Sequence, residues 1–276
     1  MNPAASAVFV GQVRVASVAS SNRGFAYGDG LFETMRVHRG GIPLWPRHLA
    51  RLRDGAGRLG ITVPELGFLE AQVLAFAGDV DGGVLKLLLT RGDGGRGYAP
   101  PVDAAPTWTL SRHPLPPPLP GALRLHDCAT RLAIQPALAG LKHCNRLEQV
   151  LARGEVERAA CDEGLMRDME GAPVCATAAN LLVLQGGRWT TPAVSRCGVA
   201  GVLRGWLLDA GLVEEAPVAR EALDDADALA LCNAVRGILP VASLGARRWV
   251  RDEAVDRIQE RLAMAFPMFS EAGQDT

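Results

Sequence analysis

A proline run near the middle of the chain, Arg112-His113-Pro114-Leu115-Pro116-Pro117-Pro118-Leu119-Pro120-Gly121, sets the strongest limit on how it folds. Proline fixes φ and carries no backbone N–H, so neither a helix interior nor a central strand continues through it. The run reads as an extended linker over 113–121. It separates an N-terminal α/β domain over 1–112 from a C-terminal α/β domain over 122–276. With 276 residues, 48% of them hydrophobic, the chain has apolar material for a core on each side.

Before the linker, the alternation at Val8-Phe9-Val10 and Val13-Arg14-Val15 predicts two early strands. A strand is expected over 31–38, after a Gly28-Asp29-Gly30 turn. Apolar residues at Leu49, Leu52, Ala56 and Leu59 predict a helix over 46–59, which Gly55 and Gly57 weaken by about 1 kcal/mol each. The apolar run 83–90 reads as a strand broken only by Lys86, and 91–97 as a glycine-rich loop. After the linker come a strand over 122–131 and a helix over 145–160 through Leu147, Val150, Leu151 and Val156. A meander of short strands follows, with turns at 169–171 and 185–187. A helix is expected over 202–212, then strands over 213–218, 228–232 and 238–243, and a terminal amphipathic helix over 251–266. Strands outnumber helices and alternate with them irregularly, which makes the class α+β.

A net charge of −1 gives no broad attraction to nucleic acid or to an anionic membrane. No apolar run is long enough to span a bilayer, and residues 1–21 lack the basic start and apolar block of a signal peptide. The six cysteines, at 128, 144, 161, 175, 197 and 232, form no CxxC pair and no zinc-like spacing with histidine. A reduced, cytoplasmic protein without a metal site is expected.

One compositional bias bears on chemistry. Of 29 basic residues only Lys86 and Lys142 are lysine. A guanidinium stays protonated and forms no Schiff base, so any side-chain amine chemistry falls to these two. Lys86, inside the apolar run, reads as a strand lysine snorkelling to the surface. Lys142 stands where Leu138-Ala-Gly-Leu-Lys142-His-Cys-Asn145 passes into a helix, a junction from which a side chain can enter a cavity. Free lysine has a pKa near ~10.4, so a nucleophilic amine needs desolvation or a nearby cation, and Arg146 or His143 could be that cation. On spacing alone a solvated surface lysine remains the simpler reading.

Five segments, in order along the chain, carry a resemblance. They are Phe25-Ala-Tyr-Gly-Asp-Gly-Leu-Phe-Glu-Thr34, His48-Leu-Ala-Arg51-Leu52, Thr90-Arg-Gly-Asp-Gly-Gly-Arg-Gly-Tyr98, Leu138 through Val150, and Cys232-Asn-Ala234 with Leu239-Pro-Val241. Together they resemble the aminodeoxychorismate lyases, pyridoxal phosphate enzymes of fold-type IV related to branched-chain and D-amino acid aminotransferases. The resemblance implies two α/β domains of the fold-type IV kind, a homodimer, and a site at the domain boundary. Lys142, in the C-terminal domain, would hold pyridoxal 5'-phosphate as a Schiff base. Arg51 would meet the phosphate. So would the turn Gly198-Val-Ala-Gly201-Val202-Leu203-Arg204, whose helix-start N–H groups suit an anion, with the Ala234 backbone completing the cup. Tyr27, Thr34, Arg96, Tyr98 and Asn233 would lie toward substrate, Arg96 as partner of a carboxylate. Asp29 is a further candidate.

The pattern breaks at one position. The family places a glutamate against the pyridine nitrogen, shortly before an Ala-Asn-Leu stretch, and here that position is Cys175. A carboxylate keeps the nitrogen protonated and the ring a strong electron sink, and a thiol does this poorly. Amino transfer needs that sink in both half-reactions. Conversion of 4-amino-4-deoxychorismate to 4-aminobenzoate and pyruvate, a step of folate biosynthesis, ends in an aromatic ring, and that gain can drive elimination with a weaker sink. The resemblance therefore implies a lyase. A D-amino acid or branched-chain aminotransferase is the alternative, and a homologue that binds the cofactor with weak or no turnover a second one.

Overall fold

The computed structural model describes residues 6–78, 81–250 and 252–270. These form two compact units. The first takes in the chain up to Pro116 together with Leu141–Asn145, and the second takes in Pro117–Gly140 and the chain from Arg146 onward. The segment bearing Lys142 thus belongs with the first unit, whereas the sequence reading put it in the C-terminal domain.

The first unit is a five-stranded antiparallel sheet with helices. Its elements are β1 (Ser6–Val10), β2 (Val13–Val15), α1 (Arg23–Tyr27), β3 (Gly30–His38), α2 (Trp45–Leu59), α3 (Leu66–Ala77), β4 (Gly82–Thr90) and β5 (Thr107–His113), in the strand order β2-β1-β5-β4-β3. Three of them, α1, α3 and β5, have no counterpart in the sequence reading, and β5 runs to His113, the first residue of the expected linker. α3 starts where the Glu65 carboxylate accepts from the amides of Gly67 (2.8 Å) and Phe68 (2.6 Å), supplying acceptors that the first turn lacks. It packs where Phe9 stacks on Trp108 at 4.2 Å with Phe68 edge-on. Strand alternation puts Leu31, Glu33, Met35 and Val37 on one face of β3, all buried, and Phe32 and Thr34 on the other, half-buried.

The second unit holds β6 (Leu123–Leu132), α4 (Leu147–Arg158), β7 (Glu163–Asp168), β8 (Pro173–Ala176), β9 (Asn180–Gln185), β10 (Arg188–Thr191), α5 (Val202–Asp209), β11 (Glu214–Glu215), β12 (Ala228–Asn233), β13 (Gly237–Leu244), β14 (Arg247–Arg248) and α6 (Glu253–Ala265). The strand order is β11-β10-β9-β12-β13-β6-β7-β8, with β14 on β13 and a further β8–β9 pairing. Pairs β13–β6, β6–β7 and β10–β11 are parallel. β9 and β12 are buried on both faces: Leu181, Val183, Leu229 and Leu231 enter one core, and Leu182, Leu184, Ala228, Ala230 and Cys232 the other. That is why both read as unbroken apolar runs rather than as alternations.

The helix expected over 145–160 forms, but its buried residues are Ala152 and Val156, set against Cys128, Met166 and Val174. Leu147, Val150 and Leu151, part of the spacing that predicts the helix, are 76%, 62% and 62% exposed. The strand expected over 213–218 shortens to Glu214–Glu215, and the helix over 202–212 to Val202–Asp209. Arg251, where the terminal helix was expected to begin, lies outside the described residues, as do residues 1–5 of the early N-terminus.

Candidate active site

Lys142 is placed by an added strip of backbone at the edge of β3. The Phe32 N–H donates to Lys142 O (2.9 Å), the Cys144 N–H donates to Gly30 O (2.9 Å), and Leu31 faces His143 in an antiparallel bridge. Extended backbone alternates its side chains. Leu141 turns inward and is buried, its methyl group lying near Gly55 of α2 together with Leu31. Lys142 emerges on the other side, where its Nζ sits 4.3 Å from the centroid of the Phe32 ring. Asn145 closes the strip by donating from its side chain to Gly28 O (3.1 Å). Gly28, at φ 64°, ends α1 in the left-handed region, and a Cβ there would press on the Asn145 amide.

Arg51 and His48 stand three residues apart on one face of α2, the face that meets Glu33 of β3. The Arg51 guanidinium donates through Nε to Glu33 Oε1 (2.8 Å) and through Nη2 to Oε2, and His48 Nδ1 lies 2.6 Å from Oε2. Burial pushes the Glu33 carboxyl up, but the Arg51 charge and the hydrogen bonds from His48 and Arg51 outweigh it and hold it at about 2. Burial pushes His48 down more than Glu33 pulls it up, so its ring is neutral and donates from Nδ1. Glu33, His48 and Phe32 lie within the segments that carry the resemblance, and the sequence alone suggests no part in the site for any of them. The available signal was Glu33 itself, a charge on the inward-facing period of an apolar strand.

The loop candidates of this unit form a separate cluster. Arg23 donates to the carbonyls of Gly97, Tyr98 and Ala99 and to Asp29, which also receives Arg91. Asp29 is therefore an anchor for two arginines. The Gly97 N–H donates to the Tyr27 hydroxyl (3.2 Å), and the Tyr27 and Tyr98 rings lie 5.5 Å apart. Arg96 and Tyr98 are exposed on this loop. Thr34 sits on the Phe32 face of β3, directly opposite Lys86 in the ladder.

In the second unit, the first intrahelical bond of α5 runs from the Gly205 N–H to Gly201 O (2.8 Å). The amides of Val202, Leu203 and Arg204 therefore open the helix without an intrahelical acceptor, and Gly201 at its start supplies no side-chain cap. A Cβ on Gly201 would overlap Asn180 Oδ1, while Asn180 Nδ2 donates to Val199 O (2.9 Å). Asn180 thus holds the turn against the sheet and makes glycine necessary at 201, a role the sequence did not suggest. Cys175, on β8, pairs with Asn180 across the ladder. Burial, and then Cys197 close by, pushes its thiol up to about 12 despite the opposing charge of Arg146. It is a neutral thiol at any ordinary pH. Ala234 is half-buried in the β12–β13 turn, where the Asn233 side chain accepts from the amides of Val235 (3.0 Å) and Arg236 (2.8 Å). Among the described residues no group of His, Cys, Asp and Glu side chains is arranged to hold a metal ion.

The chain belongs to the amino-transferase class IV family, whose model matches residues 30–244. It is similar to the crystal structure of 4-amino-4-deoxychorismate lyase from Pseudomonas aeruginosa, with 42% identity, a TM-score of 0.88, and coverage of 94% of this chain and 99% of that one. Aminodeoxychorismate lyase from Vibrio harveyi is 32% identical over 255 residues, 89% of this chain and 94% of its own length. A hypothetical aminotransferase from Mycobacterium tuberculosis, solved in its PLP-bound form, shares the fold at a TM-score of 0.81 and 17% identity. The fold is that of the fold-type IV enzymes, and the family's cofactor is pyridoxal phosphate.

Proposed function

We propose that this chain is a pyridoxal-phosphate-dependent lyase that converts 4-amino-4-deoxychorismate to 4-aminobenzoate and pyruvate, with Lys142 as the amine that carries the cofactor. The observation that carries the reading is the likeness, at 42% identity over nearly the whole of both chains, to a 4-amino-4-deoxychorismate lyase. The residues fit the cofactor's needs. An aldehyde needs an amine on rigid backbone, and Lys142 sits in a strip bonded to β3 through its own carbonyl and the Cys144 amide. A phosphate needs unengaged N–H groups and positive charge. Val202, Leu203 and Arg204 supply the first at a turn too tight for any Cβ at 201, and Arg51 the second. The backbone of Ala234 adds to the cup.

When bound, the cofactor supplies an electron sink for charge that develops at the substrate's amine-bearing carbon. Lys142 Nζ takes the proton from that carbon and gives one to the methylene carbon of the departing enolpyruvate. Glu33 sets the direction of the Arg51 guanidinium. Tyr27, Thr34, Arg96, Tyr98 and Asn233 orient the substrate, Arg96 through a carboxylate. Cys175 would stand where the family has its carboxylate, and a thiol with a pKa of about 12 would neither hold a proton on the pyridine nitrogen nor carry a compensating charge. A reaction that gains an aromatic ring tolerates this better than amino transfer does, which favours the lyase over a D-amino acid or branched-chain aminotransferase. We further propose a cytoplasmic homodimer. The exposed stripe Leu147, Val150 and Leu151 on α4 is apolar surface of the kind that a second copy covers. Among the described residues no helix is long and apolar enough to cross a membrane.

Incubating the cofactor-loaded protein with 4-amino-4-deoxychorismate should yield 4-aminobenzoate and pyruvate in equal amounts. Amino transfer to a keto acid without 4-aminobenzoate would replace the lyase by the aminotransferase. No product at any enzyme concentration would leave only a cofactor-binding homologue.

A further inference from the structure

Both lysines of this chain end on one aromatic ring. Lys142 Nζ lies 4.3 Å and Lys86 Nζ 5.3 Å from the centroid of Phe32. They arrive by separate routes. Lys86 stands opposite Thr34 in the β3–β4 ladder and so shares the Phe32 face of the sheet. Lys142 arrives from the strip bonded to the Phe32 N–H. Whatever the angle between them, the amines can be no farther apart than the sum of those distances, about 9.6 Å.

The ring alone favours a charged amine. A second ammonium on the same ring opposes that, since Coulomb repulsion disfavours the charged form of its neighbour. From the α2 side come His48, which is neutral, and the Arg51–Glu33 ion pair. Arg36 is farther along the same face of β3, and His143 occupies the alternate side of the extended strip.

We propose that Lys86 is a positioning residue for Lys142: its ammonium, held on the shared Phe32 ring, lowers the proton affinity of the Lys142 amine. The free amine required of a nucleophile and base is then reached nearer neutral pH. This rests on Lys142 being the cofactor amine. It gives a physical reason why a chain so poor in lysine carries its other lysine inside an apolar strand.

Trace acylation with acetic anhydride across pH 6–11, read by mass spectrometry at Lys142 in the full chain freed of cofactor, follows the ionisation of this amine. Lys86→Gln should raise its midpoint by about one unit and slow acylation near pH 7.5 about tenfold, while Lys86→Arg keeps the wild-type midpoint. The pH profile of kcat/KM should move in the same direction. An unmoved Lys142 midpoint in folded Lys86→Gln overturns the proposal, and if only KM then rises, Lys86 is a substrate contact and nothing more. Should Lys86→Gln fail to fold, Lys86→Met, which keeps the apolar stem, serves the same comparison. Borohydride reduction separates the two readings. If no pyridoxyl is fixed to Lys142, the cofactor assignment fails, while the acylation midpoint still judges the coupling between the lysines.

Discussion

In the first unit the charged groups of the candidate site are side chains gripped by other side chains: Arg51 by Glu33, Glu33 by His48, and Lys142 by the Phe32 ring. In the second unit the groups proposed to meet the phosphate are backbone amides at the start of α5, and Cys175, proposed to face the pyridine nitrogen, is uncharged. The difference lies in what each half needs in order to work. A side-chain charge must be aimed, and a buried carboxylate does the aiming. A helix start is aimed by the backbone, so the second unit needs a glycine and the asparagine that pins it.

The largest effect that would sharpen this contrast is loss of the amine. Lys142→Ala should cut turnover by at least about 10^4-fold, since it removes the cofactor's attachment and the proton carrier together, and steady-state kinetics checks it. Breaking the grip on Arg51 comes next. Glu33→Ala leaves the half-buried Arg51 guanidinium without this carboxylate and should cost about 3–5 kcal/mol in urea unfolding. If it costs under about 1 kcal/mol, the first unit does not depend on this pair.

The halves should also fail at opposite ends of the pH scale. The Glu33 carboxyl is held at about 2 against an ordinary 4.5, so its contribution is complete above pH 4.5 and is lost as pH falls toward 2. That is worth roughly 3 kcal/mol. His48, pushed below 6.5, adds to the same loss, because the unfolded ring gains its proton first as pH falls. In the second unit the buried thiols of Cys128, Cys175 and Cys232 stand at about 12 against an ordinary 9.0. Their contribution is complete below pH 9 and is lost as pH rises toward 12. Hydrogen exchange should therefore show β3 and α2 opening first in acid and β6, β8 and β12 opening first in alkali. Glu155 gives the second unit a smaller, solvent-screened acid sensitivity of its own: burial opposes ionisation, but the Thr130 hydroxyl and the amides of Ala129 and Thr130 hold its carboxyl at about 2.

Smaller again is Gly201→Ala. Its Cβ collides with Asn180, which should cost about 1–3 kcal/mol of stability and weaken pyridoxal phosphate binding, as followed by cofactor absorbance. The smallest is Cys175→Ala, expected to change stability by about 1 kcal/mol and to leave activity between pH 7 and pH 9 without a new ionisation.

How much of this was readable beforehand follows the same division. The run Leu138 to Val150 marked Lys142, and the strand expected over 228–232 forms as β12, whereas β9 was expected only within a meander of short strands. The helix α3, Leu66–Ala77, was missed because apolar residues occur all round it and no single face stands out. The outward turn of Leu147, Val150 and Leu151 was missed because their spacing is what a core-facing helix shows, and only the position of α4 on its sheet decides which face is covered. The Glu33–Arg51–His48 cluster and the Lys86–Phe32–Lys142 cluster join residues far apart in the chain. Spacing says nothing about such pairs until strand register and helix packing bring them together.

The central claim is that Lys142, and not Lys86, carries the cofactor. Borohydride reduction of the pyridoxal phosphate-loaded protein, followed by peptide mapping, tests it most directly. Pyridoxyl should be found on the peptide containing Lys142 alone, and label on Lys86, or on neither lysine, would contradict the account.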